Sequence, residues 1–168
     1  MDVFYYWKEF EENAKKGAVG RFVSSREQLQ KLKGRDPDYI WAFIIPKGFG
    51  GQRGKSDCKL KLLARLKWSD TPLPGLLPAE KKKPVSEIYY NHEAVDSILY
   101  EDTDSTEALD LVTSLMRSKY PKAFKPRFNG VNGVQVMEKD LVDKFRKEMA
   151  HYPSTQFLTG IAKLKRPK

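Results

Sequence analysis

Between Cys58 and Ser69 the chain alternates: Cys58, Leu60, Leu62, Ala64, Leu66 and Trp68 fall on one parity, Lys59, Lys61, Leu63, Arg65 and Lys67 on the other. A strand sends alternate side chains to opposite faces, so this stretch predicts a long central strand, oily beneath and cationic on top. Wound at 3.6 residues per turn, the same cations would be scattered around the cylinder, which excludes a helix. Upstream, Val3, Trp7, Phe10 and Ala14 recur at helical spacing and predict a helix over residues 2–16, with Asp2 at its start and Lys15-Lys16-Gly17 at its end. Residues 19–23 form a short strand candidate. The capping-box spacings Ser24 to Glu27 and Ser25 to Gln28 open a second helix, stopped by Gly34. Residues 39–45, dense in β-formers, predict a strand covered on both faces.

After the central strand comes a Pro-rich crossing that carries Lys81-Lys82-Lys83. Residues 86–90 and 97–100 are further short strands. A helix is expected over 104–120, with Asp104 and Glu107 as its capping pair and Ala108, Leu111, Val112, Leu115 and Met116 as its apolar stripe. The Asn129-Gly130 and Asn132-Gly133 turns precede a brief strand over 134–136, and a last helix runs over 138–151, burying Leu141, Val142, Phe145 and Met149. These elements predict an α/β (α+β) domain: a curved, mainly antiparallel sheet or open barrel with three or four helices outside. Residues 1–160 form the single domain. Residues 161–168, ending Lys165-Arg166-Pro167-Lys168, are expected to be a basic tail or linker with nothing to pack with, leading to a further domain or subunit after Lys168.

Charge narrows the function. A formal net charge of +9 on 168 residues favours a polyanionic partner. The start, Met1-Asp2-Val3-Phe4, lacks the basic region and apolar run of a signal peptide, and no apolar stretch approaches a membrane span. The expectation is a cytoplasmic protein that does not engage a membrane. The lone Cys58, on the apolar parity, excludes an internal disulfide and a Cys-rich zinc site and reads as a small buried hydrophobe.

Two enzymatic patterns compete with this reading of the charge. The loop from Gly48 to Ser56 carries Gly54-Lys55-Ser56, but a phosphate loop needs its first glycine at position 49, which is Phe49, and needs a helix rather than a strand to follow. Nucleotide hydrolysis is set aside, while the glycines and Arg53 and Lys55 still suit a phosphate backbone. Asp38, Asp57 and Lys59 follow the spacing of a metal-dependent nuclease and make the alternative reading. His92 and His151 stand too far apart to bind a metal by spacing, and His92, beside Tyr89, Tyr90, Asn91 and Glu93, reads as a surface-loop histidine ahead of a pocket-lining one. No catalytic residue, metal or cofactor is assigned.

Aromatic residues supply the more specific signal. Trp41, Trp68, Tyr89, Tyr90 and Tyr100 fall on strands or strand ends near cations, where aromatic faces stack on unpaired bases or hold an extruded one. The segment Asp38-Tyr39-Ile40-Trp41-Ala42-Phe43-Ile44, followed after a glycine-rich loop by Leu62-Leu63-Ala64-Arg65-Leu66-Lys67-Trp68, resembles the PUA-like superfamily, which includes the EVE and YTH modified-base readers and similar domains in McrB-type restriction proteins. The resemblance implies a small curved barrel with a pocket for one flipped base, walled by Trp41, Trp68 and Tyr89 or Tyr90. Non-catalytic nucleic-acid binding follows, with DNA ahead of RNA, as the targeting domain of a restriction or defence protein. Arg53, Lys55, Lys59, Lys61, Arg65 and Lys67 would hold phosphates. A protein-interaction module is the third reading.

Overall fold

A computed structural model describes residues 1–24, 32, 35–51, 57–76, 86–124 and 134–165. The expected second helix, Arg53, Lys55, the Lys81–Lys83 run and both Asn-Gly turns lie outside the described residues. The strands are β1 (Asp2–Tyr6), β2 (Arg21–Ser24), β3 (Tyr39–Ile44), β4 (Lys61–Ser69), β5 (Ser86–Tyr90), β6 (Ile98–Tyr100), β7 (Val134–Met137) and β8 (Ser154–Gln156). The helices are α1 (Phe10–Lys16), α2 (Thr106–Lys119), α3 (Pro121–Phe124), α4 (Lys139–Met149) and α5 (Phe157–Lys165). The strands form one strongly curled mixed sheet, a half-barrel, in the order β2-β5-β4-β3-β1-β7, with β6 and β8 branching from β4. Only β1 and β3 pair in parallel; the other described pairs are antiparallel. The expected α+β class with a curved sheet is what the chain adopts. No helix among the described residues is long and apolar enough to cross a membrane.

The first element departs from expectation. Residues 2–6 form a strand between β3 and β7. Their run Val3-Phe4-Tyr5-Tyr6 is rich in β-formers and needs cover on both faces, as an inner strand provides. The helix begins only at Phe10, with Glu11 and Glu12 in its first turn and Lys15 and Lys16 in its last, each sign complementing the helix dipole. Of Val3, Trp7, Phe10 and Ala14, only Phe10 and Ala14 lie in the helix. In α2 the cap is Ser105, one residue beyond Asp104: its hydroxyl accepts the Ala108 N–H at 3.2 Å.

Two cores lie on the two faces of the sheet. Under α1 and α5 pack Val3, Trp7, Phe10, Phe22, Ile40, Ala64, Leu66, Ile88, Tyr90 and Phe157. Under α2, α3 and α4 pack Phe4, Trp41, Phe43, Cys58, Leu60, Leu62, Val112 and Phe145. The central strand therefore changes sides. Against β3 its register runs Ala42 to Ala64 and then Phe43 to Leu62, leaving Leu63 as an extra residue. A bulge of this kind puts two residues opposite one and resets the alternation. Cys58, Leu60 and Leu62 point into the α2–α4 core, whereas Leu63, Ala64 and Leu66 point into the α1–α5 core.

The C-terminal segment is also a correction. Residues 157–165 form α5 rather than a loose arm from 161 onward, with Phe157 0% and Ile161 3% exposed. Phe157, Gly160 and Ile161 lie at helical spacing, which seats this face on Leu99 of β6. Arg166 to Lys168 lie outside the described residues.

Candidate anion site around Tyr39

On the α2–α4 face of the sheet, Lys67 lies opposite Tyr39 and Arg65 opposite Trp41. Side chains directly across an antiparallel pair touch. The Arg65 guanidinium lies 5.0 Å from the centre of the Tyr39 ring and 5.9 Å from that of Trp41, and the Lys67 ammonium lies 4.9 Å from Tyr39. From α4, Arg146 completes the group, 5.2 Å from Tyr39 and 5.9 Å from Trp41. Three cations thus pack against the ring of one tyrosine, an attraction worth ~0.5–1 kcal/mol per pair at exposed sites.

Carboxylates offset part of this charge. Tyr39 donates its hydroxyl hydrogen to Asp96, and that bond holds the Asp96 carboxyl below its ordinary range, with Lys67 and Arg65 adding to the effect. The same bond, then burial, raises the Tyr39 phenol. Asp38 is lowered chiefly by its hydrogen bond from the Met1 ammonium at 2.9 Å. Asp2, 5% exposed, accepts the Trp41 indole N–H at 2.8 Å and lies 3.6 Å from Arg146. Four cationic groups therefore meet three carboxylates. One donor is left over: Arg65 Nε is buried without a hydrogen-bond partner among the described residues. A buried N–H left unpaired is costly, and this one is closed to solvent, so any contact with an anion falls to the outer atoms of the cluster.

The backbone that places this cluster is fixed by Ser97. Its hydroxyl accepts the Lys67 N–H at 2.9 Å and donates to the Asn91 carbonyl at 2.6 Å. Ser97 is fully buried, and the Phe157 N–H bonds its carbonyl at 2.8 Å. At this point β4 passes from pairing with β6 to pairing with β5, and the tie sets Asp96 beside Tyr39.

The sequence-derived candidates separate in space. Arg65 and Lys67 come together. Lys59 instead pairs with Asp110 of α2 at 2.9 Å, and Lys61 lines a cleft beside α1 on the other side of the sheet. The expected four-cation face is thus divided by the Leu63 bulge. The four aromatic wall candidates do not enclose one pocket. Trp41 and Tyr90 are both 0% exposed and sit in different cores, because each fills a packed layer between sheet and helix. Trp68 is half-buried with its indole N–H on Asp70 at 3.0 Å, and Tyr89 donates to Glu87 at 3.0 Å. Tyr90 is the cross-strand partner of Trp68, so Tyr89 lies on the opposite face of the sheet from Trp68.

The nuclease constellation does not assemble. The Asp38 carbonyl accepts the Trp68 N–H at one end of the β3–β4 pair, while Asp57 precedes β4 at the other. Six strand residues separate those ends, roughly 20 Å. Among the described residues no group of three His, Cys, Asp or Glu side chains is placed to hold a metal ion. His92 is not a surface residue: it is 8% exposed, packed edge-on to Tyr90, and burial lowers its pKa. Tyr39, Asp96, Asp2 and Arg146 were missed as site residues. For Arg146 the signal was present: it stands four residues after Val142 and next to Phe145, at the rim of an apolar stripe that covers the sheet. Comparison of the chain with protein-family models, curated proteins and solved structures returned no match.

Proposed function

We propose that this chain is a non-catalytic nucleic-acid-binding domain that grips the phosphate backbone through Arg65, Lys67 and Arg146. The carrying observation is the convergence of these three cations on Tyr39. Two guanidinium groups and an ammonium gathered at one place supply the charge and the forked donors that suit a phosphodiester. The net charge of +9 supplies the long-range attraction that brings a polyanion to such a site. The curled sheet and flanking helices are compatible with a PUA-like fold, which the sequence resembles. Backbone contact is favoured over a flipped-base pocket, because Trp41 and Tyr90 lie closed inside separate cores.

The test is fluorescence anisotropy with labelled single- and double-stranded DNA and RNA, with and without methylated bases, over rising salt. Three phosphate contacts give a log–log slope of about −2 to −3. A flat salt response, or no retention of any oligonucleotide, overturns the reading.

A further inference from the structure

Across the sheet from the Tyr39 cluster, an open cleft of about 390 Å³ lies between α1, the adjoining ends of β3 and β4, and the end of α5. Its floor is apolar, formed by Phe10, Ala14, Ile44 and Leu63. Three lysines stand around it: Lys15 from α1, Lys47 from the turn after β3, and Lys61 from the start of β4. Glu11 and Asp104 also border the cleft, yet none of the three lysines forms an ion pair with a carboxylate among the described residues. The Leu63 bulge creates this arrangement by turning Leu63 and Lys61 toward α1.

The volume falls in the range of small-ligand sites. The apolar floor suits an aliphatic body, and three ammonium groups against the two carboxylates of Glu11 and Asp104 leave a net positive rim that suits an anionic head. We propose that the cleft binds a medium-chain aliphatic anion, a carboxylate or a phosphate monoester. Its chain lies on Phe10, Ala14 and Leu63, and its head sits among Lys15, Lys47 and Lys61. This site is independent of nucleic-acid binding at Tyr39.

The test titrates octanoate, octyl phosphate, octanol and inorganic phosphate into isotope-labelled protein and follows backbone amide shifts. At least one of the two amphiphilic anions should shift Phe10, Ala14, Ile44 and Leu63 saturably. Octanol and inorganic phosphate should each bind about tenfold more weakly or worse, since each offers half of the recognised chemistry. Whichever headgroup binds tighter identifies the class. Replacing Lys15 and Lys61 together (Lys15→Gln, Lys61→Gln) should weaken the anion about tenfold and leave octanol unchanged. Octanol binding as tightly as the anions, shifts centred elsewhere, an oligonucleotide shifting these amides when the anions do not, or no saturable shift would overturn the proposal.

Discussion

Asp96 limits how strongly the Tyr39 cluster attracts an anion. It holds the Tyr39 hydroxyl and stands in the field of Arg65 and Lys67. Replacing it with asparagine keeps an acceptor for Tyr39 and removes a competing charge. Oligonucleotide affinity in low salt should rise by up to about fivefold, the scale of one partly exposed ion pair. An unchanged or weaker affinity would show that the cluster is not where the anion sits. At the same scale, His92 makes stability depend on pH. Its Nδ1 is buried without a partner among the described residues, and Gly20, at φ +98°, approaches so closely that a Cβ there would come within 2.9 Å of that nitrogen. Burial lowers the folded-state pKa, so as pH falls below the unfolded value near 6.5 the unfolded chain takes up a proton that the folded one refuses. Stability should therefore fall from pH 7 to pH 5 in urea titrations, before the carboxylates protonate. His92→Gln should flatten that part of the profile, and an equal slope in the variant would exclude His92 as its cause.

Among elements, α5 is the clearest case of structure that composition hid. Its basic end, Lys163-Leu164-Lys165, resembles a solvated arm, and the seating surface is supplied by β6, far away in sequence. A Cβ at Gly160 would meet Leu99 Cδ2 at 2.6 Å and Thr155 Oγ1 at 2.8 Å. Gly160→Ala sets a helical gain of about 1 kcal/mol against overpacking of about 1–3 kcal/mol. A net loss of about 1 kcal/mol in urea unfolding is expected, and a stabilised variant would mean that α5 is not docked on β6. β3, β5, α2 and α4 were legible because a local period or a dense run of β-formers marks each. β1 was misread because an inner strand is apolar on both parities and loses its period of two. The bulge at Leu63 was invisible because it depends on how β4 pairs with β3, and the alternation in the sequence continues straight through it.

For the whole molecule, that single extra residue decides how the positive charge is distributed. Without it, Lys59, Lys61, Arg65 and Lys67 would form one stripe. With it, Arg65 and Lys67 join Arg146 on one face, Lys59 is spent on Asp110, and Lys61 serves the cleft on the other. The pairing of Arg65 with Lys67 was readable from their spacing, whereas Arg146 and Asp96 are brought in only by tertiary packing. The most direct measurement compares the salt dependence of oligonucleotide binding in two variants. In one, Arg65, Lys67 and Arg146 become glutamine; in the other, Lys59 and Lys61 do. The first should lose about two to three units of log–log slope and the second less than about half a unit. Equal losses in both variants, or a larger loss in the second, would contradict the division of charge at Leu63 and the anion site built on it.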